Sequence, residues 1–413
     1  MTTLLKEIDK RFRQIPGARL ERRSILNVLE REVESLRDAH VARSPVAPEL
    51  VRNARWKLGR PPDSDATILD AELTLDEARL TIARFHWFST WSDVRDHAGE
   101  TVDPRFEAAA DAIVAGDADA LRTLVEGDPS LVHARSAFGH HATLLQHVAA
   151  NGIEVSRQWQ SPSNAPRIAG ILLAGGAEPD ARCDAYAPPA GGSTALTLLV
   201  SSAHPARAGV QVALVETLLD AGASVDGVPI TRQSPIETAL RFGYPAAAEA
   251  LARHGARIDD VVVAAGLGRL DLAGRFVDDA PQGRVDEAYR LACLLGRTNV
   301  AVFLLRAGAD ATKRDNQGFT GLHWAAFQGH AETVKALLEG GAPLEVKNIY
   351  GGTVLDCTVW ASIHAGLDVD HIPVIAQLIA AGADLGSVDP SPSANEQVEF
   401  VLRAARLYLT RRG

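Results

Sequence analysis

The 413-residue chain reads as an all-α solenoid of stacked helix pairs, with a helical region before the array and a capping helix after it. Three observations predict this. First, the segment from Asp315 to Lys347 copies itself at a period of 33 residues. A forward shift places Thr320 on Thr353 and Leu322 on Leu355; a backward shift places Ala325 on Ala292, Gly329 on Gly296 and Leu337 on Leu304. Second, a helix ending in which aliphatic residues run into Gly-Ala recurs within 172–181, 218–227, 251–260 and 304–313. Third, aromatic residues make up only 5% of the chain and methionine occurs once, so the core must be mostly Ala, Leu and Val. That composition suits small, closely packed helices better than a large β-sandwich. About eight units fit between Asp103 and Asp389, some degenerate, and 261–284 reads as a shortened one. One unit cannot bury its own apolar face, so the units must stack.

Taken in order, residues 1–102 form the helical N-terminal region, 103–389 the repeat array and 390–413 the cap. The first 60 residues carry 14 Lys/Arg against 8 Asp/Glu, which leaves 28 against 44 for the remainder, or +6 against −16. Within them Ile25, Leu29, Val33 and Leu36 recur at helical spacing. A break follows at Arg60-Pro61-Pro62-Asp63. Thr74 and Glu77 then stand at the spacing of a capping box before another helical stretch. Glu396 to Arg411 reads as one helix that covers the last repeat, as the end of a solenoid requires.

Residues 315–347 carry Gly318, Thr320-Gly321-Leu322-His323, Ala325-Ala326, Gly329-His330, Leu337-Leu338 and Gly341-Ala342. This pattern resembles the ankyrin repeat, with Gly321 where the family has Pro. The resemblance covers roughly two-thirds of the chain. It implies that Thr320 caps the first helix, that His323 ties neighbouring repeats together and that the alanine pair lets two helices approach closely. Gly329 then turns the chain, and Gly341 ends the second helix in a left-handed conformation. The stretch LTLDEARLTIARFHWFSTWSDV is similar to the helical leader that precedes such arrays in many bacterial proteins.

Composition excludes several classes. A net charge of −10 does not suit phosphate-backbone binding, so no nucleic-acid partner is expected. Cys183, Cys293 and Cys357 are odd in number and far apart, which fits neither a disulfide framework nor a CxxC metal site. No run reaches the roughly 18–20 apolar residues of a membrane span, and the first residues lack a signal peptide. The expectation is a cytoplasmic protein with no membrane contact and no cofactor. His140, His141 and His147 lie close together, but no HExxH or regular His/Cys frame accompanies them, so no metal is expected. Adjacent His140 and His141 point apart in any regular element. Neither a GxSxG elbow nor a P-loop occurs.

Two functions of different classes remain. The ankyrin resemblance implies that finger tips and the two positions after the alanine pair face a protein partner. The 33-residue shift maps these onto Asn316, Gln317, Phe319, Phe327, Gln328, Ile349, Tyr350 and Trp360, with Phe242, Leu294 and Leu295 upstream. Partner binding through Phe242, Phe319, Phe327, Gln328, Tyr350 and Trp360 on the concave face is the preferred reading, because aromatic and apolar residues replace the usual charges. Coverage of that stripe by the protein's own terminal regions is the competing reading.

The alternative is an enzyme or small-molecule binder. Insertions of 11, 7 and 8 residues separate the two helices in the repeats that end at Leu172, Leu218 and Leu378, and the finger from Ala177 to Thr194 is six longer than its counterpart. The inserts hold Arg157-Gln158-Trp159-Gln160 and Asn164, then His204 and Gln211, then His364, Asp368, Asp370 and His371. In this reading Arg157 holds an anion and His147 or His204 is the general acid or base, so Arg157, His147 and His204 are the candidate catalytic residues. Gln158, Asn164, Tyr186 and His204 line the ligand pocket. Tolerated surface loops, with Arg157 paired to Asp180 or Asp184, are the simpler explanation of the same residues.

Overall fold

A computed structural model describes residues 23–56, 63–150, 153–154, 157–158, 160–186, 192–228, 234–365, 369–385 and 397–403. The chain is an all-α ankyrin-type solenoid of helix pairs. Sheet among the described residues is limited to Arg23–Ser24 paired with Thr101–Val102, and Arg182–Cys183 paired with Ser193–Thr194 in a lengthened finger. The fold divides into two compact units, 1–238 and 239–413.

In the first unit the N-terminal helix Ile25–Val41 buries Ile25, Leu29, Val33 and Leu36, as their spacing predicts. Helix Leu75–Phe85 starts at the Thr74/Glu77 capping box and buries Ile82 and Ala83 beside it. Phe138 and Ala137 of the first finger belong to the same apolar cluster, so the N-terminal region and the array share one core. Three helix pairs follow: Pro104–Ala115 with Ala118–Gly127, Leu144–Val148 with Ala165–Ala174, and Ala195–Val200 with Gln211–Asp220.

The second unit holds the more regular pairs Val261–Gly266 with Leu270–Phe276, Gln282–Leu294 with Thr298–Arg306, Gly321–Phe327 with Ala331–Glu339, and Val354–His364 with Ile372–Ala380. Thr320 and Thr353 each cap the first helix of their pair through a reciprocal box, with His323 and Asp356 at the third position. Ala325 and Ala326 are fully buried, which lets adjacent helices close on one another. Gly341 has φ +80°, the left-handed ending its position demands. Residues 397–403 are helical; the rest of the expected capping helix lies outside the described residues.

A recurring hydrogen bond ties the units internally. The residue capping the second helix of a pair reaches back to the carbonyl that ends the first helix of the preceding pair. Asn164 Nδ2 donates to Gly116 O at 2.8 Å, Arg297 Nε to Gly266 O at 3.0 Å, His330 Nε2 to Leu294 O at 3.0 Å and His371 Nε2 to Phe327 O at 2.9 Å. Each bond satisfies one of the orphan carbonyls that every helix leaves at its C-terminus. His371, placed by sequence in a working loop, is 3% exposed and does the structural task of His330 one repeat later.

Candidate functional site: an aromatic groove and a closed ionic cluster

The groove is built by two fingers and two helices of the second unit. Asp315 accepts hydrogen bonds from the backbone N–H of Gln317 and Phe319 and from Trp324 Nε1, each at 2.9 Å, which folds the finger at 315–319 under its own helix. Asn348 does the same in the next finger, accepting from Tyr350 N and Gly352 N. The fingers touch directly. Ile349 N donates to Gln317 O, and a Cβ at Gly318 (φ +80°) would strike the Asn348 backbone at 2.8 Å. That contact is why this tip position is glycine.

Between these fingers and the helices lies a groove of about 680 Å³, lined by Gln317, Phe319, Trp324, Phe327, Tyr350 and Trp360 among others. Its rings form a continuous run: Phe319 to Trp324 at 4.9 Å, Trp324 to Phe327 at 6.1 Å and Phe327 to Trp360 at 6.2 Å between centroids. Tyr350 is 79% exposed and Trp360 53%, whereas Phe319 is buried at the floor. Phe327 and Gln328 are half-buried. Phe242 is also exposed but is not among the lining residues. Trp324 was not singled out by sequence; it stands one helical turn before Phe327, on the same face. Ile349 is exposed beside Tyr350, while Leu294 and Leu295 are half-buried.

The inserted loop of the first unit is arranged otherwise. Arg157 is 4% exposed, and its guanidinium pairs with Glu107, with Asp111 at 3.2 Å and with Glu154 at 3.2 Å. The expected Asp180 and Asp184 bind elsewhere, Asp180 to Ser224 and Asp184 to His141. Glu154 also accepts from His147 Nε2 at 3.0 Å and faces His140 Nε2 at 3.3 Å. Burial pushes the Glu154 carboxyl up, but Arg157 and the two histidines more than offset it and hold the group well below the usual range. Burial dominates at Glu107 and raises it. His140 is lowered to about 4 by burial, so it is neutral, consistent with Ala142 N donating to its Nδ1.

The remaining members of the expected pocket are engaged or apart. Gln158 is buried and donates to His147 O, and Asn164 is held on Gly116 O. Tyr186 is 47% exposed with its ring edge-on to Trp87 at 4.7 Å. His204 sits half-buried in the short helix Ala203–Arg207, where burial and Arg207 lower it. Gln211 ties down its own helix through Leu199 O and Ser202 O. The cavity beside His147 measures about 10 Å³, room for one water and not for a substrate. Among the described residues, the arrangement is thus a closed ionic cluster and not the expected open pocket, because Arg157 lies over the helix that carries Glu107 and Asp111, and Gln158 and Asn164 are taken up by backbone carbonyls. Trp159 and Asp368 lie outside the described residues. Cys183 is buried with its thiol pushed up to about 11, which leaves it a poor nucleophile.

Residues 286–389, which contain the groove, match the family described as ankyrin repeats in three copies. These residues are ankyrin repeats. The chain is also similar to NF-kappa-B inhibitor alpha of Mus musculus, 30% identical over 103 residues, 24% of this chain and 31% of that protein. It is similar to the palmitoyltransferase AKR1 of Candida albicans, 49% identical over 45 residues, 11% of this chain and 6% of that one. A third likeness is to an ankyrin and IPT/TIG repeat-containing protein of Schizosaccharomyces pombe, 36% identical over 66 residues, 16% of this chain and 6% of that one. The chain thus spans a third or less of these curated relatives. Ankyrin repeats are generally protein-interaction modules, which agrees with an exposed aromatic surface on the repeats. No described helix is long and apolar enough to cross a membrane.

Proposed function

We propose that the chain is an ankyrin-repeat interaction module that binds a protein partner through the groove between residues 317 and 360. The observation that carries this reading is the exposure of Tyr350 and Trp360 at the rim of a groove of about 680 Å³ floored by Phe319, Trp324 and Phe327. Large aromatic side chains in a desolvated hollow are the usual anchors of protein interfaces. A partner segment that inserts one or two aliphatic or aromatic side chains fits this shape. The similarity to NF-kappa-B inhibitor alpha, an inhibitor named for the protein it acts on, supports the same class of function.

Peptides selected by display on the whole protein test the reading. Binders of the groove quench tryptophan fluorescence and lose at least ~10-fold in affinity on Trp360→Ala, about 1.4 kcal/mol or more. Selected peptides that bind Trp360→Ala and Phe327→Ala as well as the wild type would overturn it. The side chains that suggested an enzyme are engaged elsewhere in the fold: Arg157 with Glu107, Asp111 and Glu154, Gln158 with His147 O and Asn164 with Gly116 O.

A further inference from the structure

A second cluster of chemically able groups lies in the first unit, apart from the groove. His97 and Glu100 follow the helix Trp91–Asp96, and His141 stands on the first finger. One ligand atom from each of the three lies within 4.8 Å of the others. We propose that His97, Glu100 and His141 form a divalent transition-metal site, of the zinc type, that clasps the N-terminal region to the finger. This departs from the expectation that the chain holds no metal. The sequence kept His141 beside His140 and hid its partners more than 40 residues upstream.

The orientation of both imidazoles supports the proposal. His97 Nδ1 lies 2.7 Å from Asp93 O, and His141 Nδ1 lies 2.7 Å from a carboxylate oxygen of Asp184. Both oxygens only accept hydrogen bonds, so both Nδ1 atoms carry the proton, and each Nε2 presents a lone pair. This is how metal-binding histidines are commonly set, with the second nitrogen donating to a carbonyl or carboxylate. The rings lie 5.7 Å apart, and His97 Nε2 lies 4.0 Å from Glu100 Oε1. Tetrahedral zinc with bonds of about 2.0–2.1 Å needs its ligand atoms roughly 3.4 Å apart, so side-chain turns of up to about 1.4 Å close the set from its present spread of 4.8 Å or less. The fourth position is open to water.

The backbone holds the ligands in place. His141 has φ +46°, a conformation unusual for a residue with a side chain. Three bonds fix it there: His141 N to Phe138 O, Arg135 Nη1 to His141 O, and Asp184 N to His140 O. Glu100 is fixed equally, its N–H on His97 O and its carbonyl accepting from Ile25 N. Two imidazoles with one carboxylate favour zinc over magnesium or calcium, which prefer all-oxygen sites.

Equilibrium dialysis of the whole, untagged, chelator-treated protein against zinc chloride is the test. The expected result is one zinc per chain with half-saturation below about 10 μM. His97→Gln and His141→Asn, the latter tolerant of positive φ, each weaken binding at least ~10-fold, and Asp184→Asn weakens it roughly 10-fold or more at unchanged stoichiometry. Circular dichroism checks that each variant folds, and zinc raises the melting midpoint of wild type more than that of His97→Gln. Absence of binding at 100-fold higher zinc overturns the proposal, as does equal zinc binding by wild type, His97→Gln and His141→Asn.

Discussion

The repeat at 144–174 and the repeat at 321–339 have the same two helices but opposite polarity of design. In the first, eleven extra residues lie between the helices, and their described charged groups turn inward. Arg157 and Glu154 meet Glu107, Asp111, His140 and His147, and little space remains among them. In the second the helices are joined tightly and the polar groups that face inward, Thr320 and His323, only cap and brace the repeat. Its large side chains point the other way, into an open groove. An inserted polar loop must satisfy its own buried groups before it can bind anything else. Polar content in an insertion therefore says little about ligands. An aromatic ring left exposed on a helical repeat has no such internal obligation, which makes it the better signal of a partner.

The largest effect that sharpens this contrast is expected at Arg157. Arg157→Met leaves Glu107 and Glu154 buried without their shared cation, and breaking a buried pair in this way costs about 3–5 kcal/mol. Denaturant unfolding reads it. A loss below about 1 kcal/mol would mean that the loop opens to water and that the cluster is not closed.

Acid comes next, and it acts on both regions. His140 in the first unit and His323 in the second are each lowered by burial from 6.5 to about 4. Below pH 6.5 the unfolded chain takes up protons that these folded imidazoles refuse, so stability falls as pH drops toward 4, by about 1.4 kcal/mol per pH unit for each histidine. The depressed Glu154 adds to the loss below its unfolded value of 4.5, whereas the raised Glu107 opposes it. Urea midpoints at pH 7, 5.5 and 4.5 should show this slope, and His140→Gln should reduce it. An unchanged slope would place water beside His140.

Much of the fold was legible because it repeats. The 33-residue shift, the Thr caps and the Gly-Ala endings state one local rule several times, and Thr320, Thr353 and Gly341 obey it. The rim of the groove was legible for the same reason, since the shift carried Phe327 onto Trp360. Pairings that cross the chain without a period were not. Arg157 lies 50 residues from Glu107, and His97 lies 44 residues from His141. Trp324 carries no such signal, because its helix position is normally read for core, although its indole reaches Asp315 and lines the groove.

The stability of Tyr350→Ala/Trp360→Ala, measured beside wild type, tests most directly the claim that the groove is open for a partner. Exposed anchors carry little of the fold, so the double variant should unfold within about 1 kcal/mol of wild type while its groove peptides no longer bind. A loss of several kcal/mol, the usual cost of truncating buried aromatics at about 3–5 kcal/mol each, would show that the chain covers these rings itself and would contradict the interaction reading.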